Sequence, residues 1–333
     1  MNQMARHSDV SDSPPLVTVG VPVYNGARYL RDALESLRHQ TLTDFEVIVC
    51  DNASTDATSE IAGEYVRNDP RFQSFRSSEN LGLVRNYRRA LQLARGRYFK
   101  WLSSDDTVSP DYLAAMISAL EADPEAVLCA CQMLPIGNDG EAIPFDEDAD
   151  AHIAASGERY RVWPAPAGLS DERAHVRFNS TVNMLPGNMQ GQFYYGVMRT
   201  AVVSQLPPHG LYLGAERVFQ AELALQGRWL YIDRPLAQRR IHIEHFGRGS
   251  GHQVAVGLDP QSSRRISFSA AQQFAGYVRA IHSVPLQSAH RLYAYRSIIR
   301  KVLTAGIWKS PWQRRYTTNS GGAPSVSTIT QRG

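Results

Sequence analysis

The sequence predicts an α/β fold in which a mostly parallel central sheet is flanked by helices, and three observations predict it. Short β-branched runs alternate with helical stretches between Leu16 and Leu113, the order expected of a parallel sheet. Each run gives way to a small polar cluster that opens a helix. The last cluster, Ser103-Ser104-Asp105-Asp106, follows the apolar run Tyr98-Phe99-Lys100-Trp101-Leu102 and precedes Pro110. An acid pair therefore stands at the carboxyl end of a strand, where open sheets place their ligands.

The elements follow in order. Leu16-Val17-Thr18-Val19-Gly20-Val21 is nearly all apolar and reads as a strand covered on both faces. Pro22-Val23-Tyr24-Asn25-Gly26 is a turn by composition, and the spacing of Tyr29, Leu30, Ala33, Leu34 and Leu37 predicts an amphipathic helix. Phe45–Cys50 is the second strand. It ends on Asp51-Asn52-Ala53-Ser54-Thr55-Asp56, whose small polar residues offer a cap to a helix running to about Asn68. Phe72–Arg76 is a shorter strand, and Asn80-Leu81-Gly82 leads into a helix carrying Arg85, Arg88 and Arg89. These strand–loop–helix steps put Pro22–Gly26, Asp51–Asp56 and Asp105–Asp106 on one sheet edge, a nucleotide site by geometry. On residue chemistry alone two readings of the acid pair stay open. Its carboxylates suit a hard divalent cation that shares its shell with phosphate oxygens. Equally, one of them suits a solvated turn capping the helix near Pro110.

Val19-Gly20-Val21-Pro22-Val23-Tyr24-Asn25, Asp51–Asp56, Asn80-Leu81-Gly82 and Ser103–Asp106 together resemble, in order and spacing, the signature of family 2 glycosyltransferases. Four loops agree at once over about a hundred residues. The resemblance extends to Gly214–Arg228, similar to the family's acceptor-side helix, and to Arg239-Arg240-Ile241-His242, similar to the basic segment that closes over the donor. It implies a GT-A type fold, a Rossmann-like, mostly parallel central sheet flanked by helices, with a C-terminal acceptor half and a helical extension. It further implies inverting transfer from a nucleotide-diphospho-sugar, assisted by Mg or Mn, to a hydroxyl of a glycan, lipid-linked or small-molecule acceptor. By resemblance the donor is bound by Pro22, Val23, Tyr24, Asn25, Asp51, Asn52, Arg85, Ser104, Asp105, Asp106, Arg239 and Arg240. In the family the residue matching Asp51 accepts a hydrogen bond from the nucleobase. Asp105 and His242 are the candidate metal ligands, and Glu216 is the candidate general base.

Two residues depart from the family pattern. Ser103 replaces an acid, leaving Asp105 as the metal carboxylate, which suffices for a cation that keeps several waters. Glu216 stands where the family has an aspartate, so its longer side chain must recede for its oxygen to come within about 3 Å of an acceptor proton. Each assignment has a plainer counterpart. Asp51 suits an Asx-turn, Glu216 a helix-start acid favoured by the dipole, Arg88 and Arg89 a solvated face, and His242 a structural histidine. A non-catalytic nucleotide-sugar-binding relative and a nucleotidyltransferase remain as alternatives. No Gly-x-Gly-x-x-Gly follows the first strand and no Walker-type loop occurs, which counts against a dinucleotide or P-loop enzyme.

At 333 residues the chain suits a two-part enzyme. The expected divisions are a flexible tail (1–15), a donor half (16–132), an acceptor half (133–237), a basic closing segment with an amphipathic helix (238–315) and a disordered tail (316–333). Gln192–Arg199 reads as a strand, with Tyr194, Tyr195 and the nearby Asn188 as acceptor contacts, while Trp163 suits a lid or a loop anchor. The acidic stretch from Asp139 to Asp150 reads as a mobile surface loop. Cys50, Cys129 and Cys131 lie in predicted strands and read as buried thiols in a reducing compartment, without the partners a structural zinc needs. The amino terminus lacks an apolar signal core and no apolar stretch is long enough to span a bilayer, so a cytoplasmic protein is expected. Residues 285–308 read as a helix with Leu292, Tyr295, Ile299, Val302 and Leu303 on one face and Arg291, Arg296, Arg300 and Lys301 around it. Such a helix fits peripheral contact with the inner face of an anionic membrane, packing across the enzyme body, or a homo-oligomer contact. Nucleic acid is not an expected partner.

Overall fold

The computed structural model describes residues 4–5, 13–162, 165–184, 191–241, 257–258, 260 and 269–305. Its first half is a run of strand–helix units whose bounds follow the sequence pattern closely. In order these are β1 (Met4–Ala5), β2 (Val17–Val23), α1 (Ala27–Arg38), β3 (Phe45–Asp51), α2 (Thr58–Asn68), β4 (Phe72–Arg76), α3 (Leu83–Leu93), β5 (Tyr98–Trp101), β6 (Thr107–Val108) and α4 (Tyr112–Ala122). The second half contributes β7 (Ala126–Ile136), the short strands β8 (Phe145–Asp146), β9 (Ala151–Ile153) and β10 (Arg159–Tyr160), then α5 (Ala174–Val182), α6 (Gly191–Tyr194), β11 (Val197–Arg199), α7 (Thr200–Val203), α8 (Ala215–Gln226) and β12 (Arg228–Arg240). Two further helices, α9 (Ser269–His282) and α10 (Ser288–Ala305), close the described chain.

Nine strands form one sheet in the order β1-β4-β3-β2-β5-β11-β7-β12-β6. β4, β3, β2 and β5 are mutually parallel. β11 runs antiparallel to both of its neighbours, β5 and β7, and β12 lies parallel to β7. It follows that β2, β3, β5, β7 and β12 all point the same way, so the loops after them share one edge. The sheet is continuous across the expected divisions at 132/133 and 237/238, because β7 and β12 each run through one of them.

Alternate residues of each strand feed two cores, as the pleat requires. Val19, Val21, Val47 and Val49 pack with Leu30, Leu34, Leu113 and Met116 of α1 and α4 on one face. Ile48, Cys50, Phe99 and Trp101 pack with Tyr87, Ala90, Phe219 and Leu223 of α3 and α8 on the other. Gly20 allows the close approach of α3 to this second face, since a Cβ there would lie 2.8 Å from that of Ala90. A third core of Phe178, Val218, Ala221, Tyr277, Ala294 and Ile298 joins α5, α8, α9 and α10. All three cysteines are unpaired and buried, and burial pushes the Cys50 thiol up to about 12.

The acidic stretch before residue 150 lies exposed at the surface; within it β8 pairs with β9, which pairs with β10 in a small antiparallel sheet, and His152 Nδ1 lies 2.8 Å from the Ile143 carbonyl. One expectation is corrected here: Gln192–Arg199 is not a single strand. It begins as the helical turn α6 and becomes strand only at Val197, because Gly196 lets the backbone press against Cys129 of β7, its Cβ position lying 2.6 Å from that carbonyl oxygen. Among the described residues no helix is long and apolar enough to cross a membrane.

Candidate active site

The loops after β2 and β3 are zipped together by their own polar groups. The Asn25 amide donates to Ser54 Oγ at 2.9 Å, the Gly26 amide to Thr58 Oγ1 at 2.9 Å, and the Thr55 amide to Asn25 Oδ1 at 2.8 Å. Asn25 and Ala53 both adopt positive φ, 50° and 62°. Asparagine tolerates that conformation, whereas alanine does so at a steric cost. Replacing Ala53 with glycine relieves the clash but adds unfolded-state entropy, so Ala53→Gly is expected to stabilise the protein by about 0.5–1 kcal/mol in urea unfolding. A loss of stability would show that the turn is not held as described. The loop after β5 meets the first loop at Gly26, where a Cβ would sit 3.2 Å from Ser104 Oγ.

Asp51 lies beneath these loops, with none of its side chain exposed. Its carboxylate accepts from the Ser54 amide at 2.9 Å, from Ser59 Oγ, and from Arg76 Nη1 at 2.6 Å. Burial alone would raise this carboxyl; the hydrogen bonds from Ser54 and Ser59 and the Arg76 charge outweigh it and hold the group below its usual range. A carboxylate so enclosed shapes the loop on which it stands. Asn52 is likewise buried, spanning to Asn80 Oδ1 at 2.8 Å and accepting from the Leu81 amide at 2.8 Å. Arg85 reaches the Leu81 carbonyl at 3.4 Å. Pro22 and Val23 are buried beneath the edge, and Tyr24 and Asn25 stand out from it, Tyr24 being 49% exposed.

At the acid pair the two carboxylates part company. Asp105 is half-buried and accepts from Ser103 Oγ, so the serine at the departing position orients the acid that remains. Asp106 is buried, and its Oδ1 accepts from the Arg240 amide at 3.0 Å. Burial, with the adjacent Asp105 charge, pushes the Asp106 carboxyl up to about 8. Arg240 itself is a clamp. Its Nε donates to the Asp105 carbonyl at 3.0 Å, its Nη1 to the carbonyls of Gly137 and Asn138 at 3.3 and 2.7 Å, and its Nη2 to Asp32 of α1 at 2.8 Å. The guanidinium also stacks on Tyr29 at 4.7 Å. With its fork spent on these partners and only 2% of its side chain exposed, Arg240 holds the acid pair in place. Arg239 is half-buried, and its charge acts to lower Asp106.

The donor set fits a hard divalent cation. A partly exposed carboxylate stands beside a second carboxyl whose ionisation burial and its neighbour oppose, and a cation at Asp105 would relieve that opposition. No group of three or more His, Cys, Asp or Glu side chains gathers for a metal among the described residues. His242 and Asn188 lie outside the described residues, as does Trp163.

Behind the acid pair lies an aromatic floor that the sequence did not reveal as a unit. Tyr194 stacks on Trp101 with centroids 5.1 Å apart and planes 5° from parallel. Tyr87 lies 6.1 Å from Tyr194 and shares a hydroxyl contact of 3.2 Å with Tyr195. His209 and Phe219 close the group, stacked at 4.3 Å, and burial pushes the His209 imidazole down to about 4. Burial lifts all three phenols, helped by the charge of Asp105 at Tyr87, of Asp106 and Asp105 at Tyr195, and of Glu216 at Tyr194. Glu216 sits in the first turn of α8 with half its side chain exposed, entered through Gly214 at φ 85°. Lys100 is fully buried behind Asp106, donating to the Tyr195 carbonyl at 2.8 Å, and burial pushes its amine down to about 8. The clue to Lys100 was a lone lysine inside an apolar strand. Asp32 gave no clue at all.

The sequence model described as Glycosyl transferase family 2 matches residues 18–180. This segment belongs to glycosyl transferase family 2. The chain is 38% identical over 116 residues to putative glycosyltransferase EpsH of Bacillus subtilis, covering 34% of this chain and 33% of that one. It is 32% identical over 158 residues to abequosyltransferase RfbV of Salmonella typhimurium, covering 42% and 47%. The chain thus spans between a third and a half of these relatives. The crystal structure of S. aureus TarS 1-349 in complex with UDP superposes with a TM-score of 0.58 at 19% identity, covering 90% of this chain and 77% of that one. The sheet and its flanking helices are those of a GT-A glycosyltransferase fold, and the family 2 match covers the three loops and the acid pair described above, ending short of Glu216 and Arg240.

Proposed function

We propose that this protein is an inverting glycosyltransferase that moves a sugar from a nucleotide-diphospho-sugar to a hydroxyl of a saccharide or lipid-linked acceptor. The observation that carries this reading is that the family 2 loops and the acid pair share one sheet edge, beside an aromatic group in which Tyr194 stacks on Trp101 and packs on Phe219 of the helix that begins at Glu216. The donor's nucleoside would lie along the β2 and β3 loops against exposed Tyr24 and Asn25, and its diphosphate would reach Asp105. A Mg or Mn ion held by Asp105 would supply Lewis-acid neutralisation of the leaving diphosphate. Arg239 adds a cationic donor on the same side. Glu216 takes the proton of the acceptor hydroxyl as that oxygen attacks the anomeric carbon from the face opposite the leaving group, which inverts the centre. The acceptor's sugar ring would rest on the aromatic floor, whose stacked faces suit its C–H groups. Names such as abequosyltransferase and chondroitin synthase among the relatives favour a growing glycan as acceptor. The absence of a membrane-crossing helix among the described residues fits a cytoplasmic or peripheral location.

A thermal-shift screen of nucleoside-diphospho-sugars with and without Mn tests the donor assignment, since a ligand of the folded state raises its stability by mass action. One donor is expected to raise Tm, and more so with the cation. Asp105→Asn is expected to erase the cation-dependent part and keep the fold, because the amide preserves volume and the backbone carbonyl held by Arg240. Equal cation dependence in the variant would remove Asp105 from the metal site, and indifference to every donor would overturn the whole reading.

A further inference from the structure

We propose that the outer face of α10 docks the protein on an anionic lipid surface. The inner face of this helix is fully accounted for. Ala294, Ser297 and Ile298 are buried, Ser297 Oγ donates to Asn179 Oδ1 of α5 at 2.8 Å, and Lys301 Nζ donates to the Met184 carbonyl at 3.3 Å. The opposite face carries side chains that this packing does not explain. Leu292 is 54% exposed, Ile299 52% and Leu303 76%, and beside them Tyr293 packs edge-on against His175 of α5 with centroids 5.3 Å apart. Arg296 and Arg300 are exposed among them. At helical spacing Leu292, Arg296, Ile299 and Leu303 form one stripe, with Arg300 and Tyr293 along its flank. The helix therefore shows two apolar faces, one seated on the protein and one presented outward with arginines.

Charge selects the occupant. Neither α9 nor α10 contains an aspartate or glutamate. Indeed no acidic residue follows Asp259 in the sequence, while eleven arginines and lysines do. A second copy meeting this face would set Arg296 and Arg300 against their own counterparts, with no acid on α9 or α10 to receive them. A nucleic acid would reward the arginines but leave the aliphatic side chains in water. An anionic bilayer takes both groups at once, the aliphatics entering the boundary between headgroups and acyl chains and the guanidinium groups remaining among the headgroup phosphates. Docking here requires no spanning helix. α10 packs on α5 and α9, which pack on α8, so the surface so held is mechanically joined to the helix that bears Glu216. The inference is independent of the sugar-transfer reading, because attachment to lipid involves no donor.

The test is co-sedimentation of the full chain with phosphatidylcholine vesicles, with and without phosphatidylglycerol. The protein is expected to bind only the anionic vesicles and to be released by high salt. The Leu292→Gln, Ile299→Gln, Leu303→Gln triple variant and the Arg296→Gln, Arg300→Gln double variant are each expected to lose about tenfold or more in binding. Both should keep the parent's circular dichroism and Tm, since only exposed groups change. Failure of the parent to bind phosphatidylglycerol vesicles overturns the proposal, as does parent-like binding by either variant. A dimer in solution that the triple variant dissolves, without vesicle binding by the parent, assigns the face to a second copy instead.

Discussion

Glu216→Gln is expected to bind donor as tightly as the parent and to lose about 10²–10⁴-fold in kcat, the range over which a positioned general base accelerates proton transfer. The amide fills the same space at the start of α8 but cannot accept the acceptor proton. Glu216 is half exposed and has only a long contact, 4.0 Å, to Arg217, so the substitution should leave stability within about 0.5 kcal/mol, as surface changes usually do. Measuring kcat beside the donor Kd separates catalysis from packing. Glu222 does not stand in for it. That side chain is buried against Arg279 on α9, 3.7 Å away, and burial lifts its carboxyl to about 7. Turnover within a few fold of the parent would remove Glu216 from the mechanism.

Arg240→Met is expected to destabilise the fold by about 3–5 kcal/mol, the cost of removing one member of a buried, hydrogen-bonded charge network. It leaves the carbonyls of Asp105, Gly137 and Asn138 without the donors that now satisfy them, and an unsatisfied buried acceptor is expensive. Arg240→Lys should recover only part of the loss, because an ammonium cannot reproduce a planar fork spread over four acceptors. Asp32→Ala should cost less than about 1 kcal/mol, since that carboxylate is mostly exposed and its attraction is screened. Urea unfolding of the three variants gives the order directly. If Arg240→Met unfolds within 1 kcal/mol of the parent, the clamp does not bear the loop.

The part of the fold legible in the sequence is the part governed by local period. Leu30, Leu34 and Leu37 announced α1, and Val47 and Val49 announced β3, because each segment buries its own pattern against one sheet face. The loops of the site were legible for a related reason: the residues that shape them are contiguous. What escaped was assembled across the chain. The role of Arg240 is set by Asp32, Asp105, Gly137 and Asn138, brought together only by the parallel pairing of β12 with β7. Tyr194 and Tyr195 were singled out as acceptor contacts, yet their partners Tyr87, Trp101, His209 and Phe219 come from four separate segments. Asp51 escaped differently. Its position was read correctly at a strand end, but whether a carboxylate there faces outward or inward depends on Ser59 and Arg76, one turn and one strand away.

The clamp also bears on the order in which the molecule assembles. Asp105 and Arg240 are 135 residues apart, and closing so long a loop costs chain entropy before any contact returns it. β2, β3 and β4 can pair from near neighbours, so the loops after β2 and β3 have their backbone early. The acid pair has no such shortcut. Its two carboxylates repel, and the groups that hold them arrive with β12, after α8 has been laid down. During synthesis from the amino terminus, the segment carrying the family 2 match leaves the ribosome well before the arginine that fixes the loop of the acid pair. The arrangement of the acid pair is therefore acquired late, when almost the whole described chain is in place.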